Sequence, residues 1–247
     1  MSIAEEWWGT SVSRVSPGVI ELRGRPIQDL IGRLGFVEMI WLLLRGSPPS
    51  PGQAALLEAA LVASVDHGPQ APSVAIARMA ATCGVGLNSA MASGVNALGD
   101  VHGGAGQQCV ELLSEIVSTG SVDTVLAAWR SRGVRYFPGF GHRIHKVDPR
   151  RAPLLSLVDD AVRDGVVGGS YLQAARDVEK ALAPVPMNID GATAVIYAEL
   201  GFAAPLARGL FVLSRSVGIL AHAYEETQQG RRNKSPLPPS MLPPYLG

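Results

Sequence analysis

From Pro26 onward the chain is a succession of apolar-periodic segments, each bounded by Gly or Pro, and this punctuation constrains the fold more than any other feature. Pro26–Arg45 gives one or two helices stopped by Gly46 and Pro48-Pro49. Ser50-Pro51 opens another, with Ala54, Leu57, Leu61 and Val65 on one face up to Gly68. Helices are predicted over Pro72–Cys83, Asn88–Leu98, Ala105–Ser118, Val122–Arg130, Pro149–Val162, Tyr171–Leu182, Gly191–Leu200 and Pro205–Thr227. Those from Pro72 to Leu98 are rich in Ala, Ser and Gly, whose small side chains let helix backbones approach closely. Before Gly24 the Val-rich, Pro/Gly-broken sequence predicts irregular chain or short strands, and after Gly230 the Pro-rich tail predicts an extended arm. An all-α fold is therefore expected.

Composition narrows the function. Lys+Arg and Asp+Glu both number 21, so there is no basic footprint for nucleic acid or an anionic membrane. The two cysteines, Cys83 and Cys109, lie in apolar, small-residue stretches and are expected to be buried thiols in a reducing cytoplasm. Glu5 and Glu6 ahead of Trp7 and Trp8 do not resemble a secretion signal. At 47% hydrophobic and 17% charged residues, the chain carries more apolar side chains than a soluble monomer needs. The longest apolar stretch, Leu206–Tyr224, contains Arg208, Arg215 and His222, which argues against a membrane span. A homo-oligomer, a dimer by expectation, accommodates the excess.

Of five histidines, three adjoin glycines at predicted helix boundaries: Asp66-His67-Gly68-Pro69, Gly99-Asp100-Val101-His102-Gly103-Gly104-Ala105 and Pro138-Gly139-Phe140-Gly141-His142-Arg143. For any one of them capping or loop packing is the ordinary role. Three in one setting point to imidazoles presented to a ligand, with a pKa suited to proton transfer. Asp190, in Met187-Asn188-Ile189-Asp190-Gly191, is either an N-cap or a base for a carbon acid. Arg215 interrupts an apolar run and needs an anionic partner, from the protein or from a substrate carboxylate. Arg150, Arg151 and Arg231-Arg232 are further cations in loops.

The order of these words resembles the citrate synthase superfamily across about Ile20 to Ser235: DHGP, GD-x-HGGA, PGFGHR…DPR, N-[VI]-DG and an R-S-x-G helix. DHGPQAPS, NIDGATAV and GLFVLSRSVGILAH look most like the citryl-CoA lyase module of ATP-citrate lyases. The resemblance implies a large helical domain (1–103 with 201–247), a smaller one (104–200), and an active site in the cleft. It implies that His67, Arg150 and Arg215 bind the oxo acid and that Arg232 reaches a neighbouring subunit's site. His102 would hold the thioester carbonyl, His142 the oxygen at the carbon under attack, and Asp190 would move the methyl proton. Gly139, Phe140 and Gly141 would touch the CoA adenine. Full-length citrate synthases have more N-terminal large-domain sequence than this chain.

The implied activity is cleavage of citryl-CoA to acetyl-CoA and oxaloacetate, with no metal or prosthetic group; in that direction His142 would help remove the hydroxyl proton. A citrate or 2-methylcitrate synthase is the alternative within the family, and a non-catalytic subunit of the same fold the alternative outside catalysis. Retention of His102, His142 and Asp190 together favours an enzyme.

Overall fold

A computed structural model describes residues 3–247 and divides the chain into two compact units, 1–58 and 59–247. In the first, helix α1 (Ile3–Trp8) precedes a three-stranded antiparallel sheet of β1 (Ser13–Ser16), β2 (Val19–Leu22) and β3 (Arg25–Pro26), in the order β1-β2-β3. Ser13 pairs with Leu22 and Glu21 with Pro26. Helix α2 (Ile27–Leu30) and helix α3 (Phe36–Arg45) follow, and Gly46 closes α3 in the left-handed conformation, as its place in the sequence requires. Arg23 staples sheet to helix, its Nε and Nη2 donating to Leu43 O at 2.9 and 2.6 Å.

Helix α4 (Pro51–Ser64) leads into the second unit, which is helical throughout: α5 (Pro72–Thr82), α6 (Leu87–Val95), α7 (Ala105–Thr119), α8 (Val122–Ser131), α9 (Arg151–Arg163), α10 (Ser170–Ala181), α11 (Ile189–Glu199) and α12 (Ala204–Gln228). A 3-10 turn at Pro239–Met241 is the one regular element in the tail among the described residues.

Two groups of helices form the core. In the first, α5, α6 and α12 meet through Ala71, Val74, Ala77, Ala90, Ile219 and Ala223. The small residues matter here: a Cβ on Gly94 would sit 2.6 Å from Ser73 O, so only glycine permits this approach. The second group wraps α7, α9 and α10 around α11, whose residues Gly191 to Ala198 are buried on every side, as expected of a helix apolar all round. Glu199 accepts N–H groups from Gly169, Tyr171 and Leu172 and so caps the start of α10.

Helix α12 is long and apolar enough to span a bilayer by length and composition, yet its packed face buries Ser214, Arg215 and Glu226. Glu226 is paired with Arg78 at 2.6 Å and Lys234 at 2.9 Å. One expectation needs correction. Cys109 is buried, but Cys83 falls at the C-cap of α5, past the packed helix, and is exposed.

The start of α11 is fixed by backbone meeting backbone. Gly139, at φ +87°, and Gly191 lie against each other, and a Cβ on Gly191 would stand 2.4 Å from Gly139 O. Gly191→Ala is therefore expected to lower unfolding stability by about 1–3 kcal/mol, as overpacking typically does. Denaturant unfolding checks this; an unchanged midpoint would show that the contact relaxes without cost.

Candidate active site

Helix α4 ends with four carbonyls that have no partner within the helix. Each is taken up. Leu61 O accepts from Ser214 Oγ, Val62 O from Val65 N at 3.4 Å, Ala63 O from Arg150 Nη1 at 3.4 Å, and Ser64 O from Arg215 Nε at 3.0 Å. Two guanidinium groups thus converge on one helix C-terminus, whose partial negative charge favours them. Three residues further on stands His67, its ring 5.7 Å from that of His142 in an edge-on arrangement.

Arg215 is only 5% exposed and lies 4.9 Å over the Phe211 ring. No carboxylate stands within ion-pair distance of it among the described residues. A buried cation in that state is costly, and an anion placed beside it would lower that cost. Arg150 differs, because Asp148 holds its Nε and Nη2 at 3.0 and 2.9 Å. Its fork is committed, leaving the edge beside Ala63.

The tautomers of two histidines follow from their neighbours. His102 Nε2 faces Ser73 N at 3.1 Å, and an amide N–H can only donate. Nε2 is therefore the acceptor, and the proton sits on Nδ1, free to donate elsewhere. In His142 the pattern is reversed: Nδ1 accepts from Ile144 N and His145 N, both at 3.0 Å, so Nε2 carries the proton. This arrangement suits donation to an oxygen; Nε2 has no lone pair with which to remove a hydroxyl proton, the part expected of it in the cleavage direction. Burial holds His102 below the ordinary imidazole range, aided by Arg215 and Arg143. Burial also lowers His142, against the pull of Asp148. His67 is lowered by burial, then by Arg150 and Arg215. In all three the shift favours the neutral imidazole.

Asp190 is not the helix cap. Asn188 fills that role, its Oδ1 accepting from Asp190 N at 2.9 Å and Gly191 N at 3.2 Å. The Asp190 carboxylate accepts no hydrogen bond from the described residues. Burial raises its pKa, while Arg215 and Arg150 draw it back. Asp190 lies within electrostatic reach of Arg215, Arg150 and His142, and His67 within reach of Arg150, Arg215 and His142; His102 joins them through Arg215.

Loop 139–141 is sewn to the start of α11: Asn188 N donates to Gly139 O at 2.9 Å, Gly141 N donates to Pro186 O at 2.8 Å, and Phe140 bridges to Met187. The Phe140 ring is buried, so the loop's exposed surface is mainly backbone. Arg232 lies apart from the other candidates. It lines a cavity of about 390 Å³ with Thr82, Cys83, Arg231 and Asn233.

Sequence reasoning passed over Asp148, Asn188 and Ser73. Asp148, 1% exposed, accepts from Arg150 and from Ile189 N at 3.2 Å and stands 4.0 Å from His142 Nε2. The Asp-Pro-Arg spacing held a signal for it; nothing local marks Ser73, which reaches His102 across 29 residues.

A family model described as "Citrate synthase, C-terminal domain" matches residues 44–235, and the chain belongs to the citrate synthase family. It is 30% identical over 215 residues to a citrate synthase of Acidithiobacillus ferridurans, covering 83% of this chain and 54% of that one. With a citrate synthase of Heyndrickxia coagulans it shares 32% over 219 residues, covering 84% and 55%. The chain thus spans about half the length of these curated relatives. The structure of citryl-CoA lyase from Hydrogenobacter thermophilus superposes with a TM-score of 0.87 at 32% identity, covering 97% of this chain and 94% of that one. ATP citrate lyase from Methanothrix soehngenii, solved with citrate and coenzyme A, shares the fold at a TM-score of 0.84 and 23% identity, covering 97% and 42%.

Asp148 yields a prediction with a definite sign. Burial raises its pKa, but hydrogen bonds from Arg150 outweigh this and bring it from 3.8 to about 2. The stability this confers is present above the unfolded value and lost as pH falls from about 4 towards 2. Asp148→Asn should cost roughly 2 kcal/mol at pH 7. The deficit should shrink in that acid window; unfolding curves whose difference is the same at pH 7 and pH 2.5 would contradict it.

Proposed function

We propose that this protein is a citryl-CoA lyase, cleaving citryl-CoA to acetyl-CoA and oxaloacetate. The observation that carries the reading is Asp190: a half-buried carboxylate released from capping by Asn188, with its pKa raised and beside the anion-seeking Arg215. The match along nearly the whole length of a citryl-CoA lyase supports it. Citrate or 2-methylcitrate synthesis is the second reading, favoured by the relatives named citrate synthase.

In the proposed reaction His67, Arg150 and Arg215 hold the carboxylates of the oxo-acid portion, with Arg150 acting through the edge Asp148 leaves open. The bond between the methylene carbon and the hydroxyl-bearing carbon breaks, and its electron pair becomes the enolate of acetyl-CoA. His102 Nδ1–H donates to the thioester oxygen on which that charge gathers. The hydroxyl oxygen, hydrogen-bonded by His142 Nε2–H, gives its proton to solvent water as it becomes the carbonyl of oxaloacetate. Protonated Asp190 supplies the enol carbon, so one proton is lost and one gained. A raised carboxylate pKa favours that donor role at neutral pH. Loop 139–141 serves the adenine of the CoA thioester.

The same proposal takes residues 1–103 with 201–247 as a large domain and 104–200 as a small one. His67, His102 and Arg215 then belong to the large domain, and His142, Arg150 and Asp190 to the small. A homodimer is also part of it. On α12, Leu213, Val217, Leu220 and Tyr224 are all exposed at successive spacings of four, three and four residues, the seam of a helix that packs on another. Arg232 is assigned to the site of the second copy. A cytoplasmic setting keeps Cys83 and Cys109 reduced.

Purified protein given citryl-CoA should release oxaloacetate and acetyl-CoA, followed by a coupled dehydrogenase assay. Asp190→Asn should lower kcat by about 10²–10⁴-fold. Turnover of acetyl-CoA and oxaloacetate to free CoA without citryl-CoA cleavage would favour the synthase reading. No turnover in either direction would favour a non-catalytic subunit.

A further inference from the structure

Beyond Ser64 the chain is held against α12 by a contact to which the proposed chemistry assigns no part. Asp66 Oδ2 accepts from Gly68 N at 3.0 Å and lies 3.3 Å from His222 Nε2. His222 is the last of a row on one face of α12. Ser214 holds Leu61 O, Arg215 holds Ser64 O, Gly218 lies beneath Val65 O, and His222 meets Asp66. Ser214 adjoins Arg215, and positions 215, 218 and 222 follow at spacings of three and four residues, so the four contacts run along both elements in the same direction. Gly218 is required in this row, because a Cβ there would stand 2.4 Å from Val65 O and 2.9 Å from Asp66 Oδ1. The other carboxylate oxygen, Oδ1, is buried without a partner, so the carboxylate is retained there at a cost.

What this contact fixes is the residue next to it. No hydrogen bond from the described residues holds the His67 ring, so its place is set by its backbone and its edge-on contact with His142. The backbone is bracketed by Asp66 on one side and on the other by Gly68, at φ +85°, whose N–H is bonded to Asp66. Without the Asp66–His222 contact, the turn carrying His67 is tied to α12 only as far back as Ser64 and Val65. Arg215 lies two turns earlier on the same face of α12.

We infer that Asp66 and His222 are a positioning pair, which sets the His67 ring at a fixed distance from Arg215 and so shapes recognition of the 2-oxo acid without touching it. The inference rests on the proposed assignment of His67 and Arg215 to the oxo-acid portion of the substrate.

The test compares His222→Ala with His222→Gln, whose amide nitrogen can stand where Nε2 does. His222 is partly exposed, so both variants are expected to fold, and thermal unfolding confirms it. In His222→Ala, oxaloacetate binding by calorimetry should weaken by about tenfold, the scale of one charge-assisted hydrogen bond. Acetyl-CoA binding should stay within about twofold, and His222→Gln should recover most of the oxaloacetate affinity. The imidazole NMR signals of His67 should shift in His222→Ala and return in His222→Gln, with or without ligand. Unchanged His67 signals, equal losses for both ligands, or no recovery in the glutamine variant would overturn the positioning role. Wild-type protein that binds no oxaloacetate while its His67 signals still follow His222 would instead overturn the substrate assignment.

Discussion

The C-terminus of α4 is the constraint on which the site depends. Four helix carbonyls must find donors, and three of them do so in side chains brought from far along the chain: Ser214 and Arg215 on α12, and Arg150 ahead of α9. Each bond is modest, but leaving a buried carbonyl unpaired costs about 1–3 kcal/mol. The helix end therefore selects the one register of α12 that satisfies it. That register brings two guanidinium groups beside His67 and concentrates positive charge there, with no carboxylate in ion-pair contact with Arg215 among the described residues. In the proposed reaction these cations hold the substrate's carboxylates.

The half to which the proposed reaction gives the proton transfers is built on Asp148 and on two glycines. Asp148 gathers the Arg150 fork and Ile189 N–H, with the His142 imidazole at 4.0 Å. It joins the loop before α9 to the start of α11 with one buried charge. The meeting of Gly139 with Gly191 brings the same two segments together by shape. Asn188 then takes the capping duty, which leaves the next acidic residue unencumbered. In the proposed reaction that freedom is what lets Asp190 carry a proton, and the amide N–H of Ser73 is what makes His102 a donor at Nδ1.

Much of this was legible in the sequence. Gly and Pro punctuation placed the helices from α3 to α12 within a few residues of where they lie, because caps and breakers are local properties. The glycine-flanked histidines also came out where expected, at the end of α4, before α7 and before α9. Capping was one of two roles left open for Asp190, and Asn188 fills it: both are good N-cap types, and only backbone geometry chooses. Partners across long separations, such as Ser73 with His102 or His222 with Asp66, leave no periodic trace in one sequence. Cys83 was expected inside because its neighbours are apolar, but it falls at the C-cap of α5 and is exposed there.

If Asp190 moves the proton at the acetyl carbon, the enzyme should exchange that carbon's hydrogens with solvent even when no carbon–carbon bond is made. Acetyl-CoA incubated in deuterated water with an unreactive oxaloacetate analogue isolates this step, and NMR of the acetyl methyl signal follows it. Loss of that signal with the wild-type protein, and its persistence with Asp190→Asn while the analogue still binds, is the expected result. Equal exchange by both proteins would contradict the account, leaving Asp190 without a part in the chemistry.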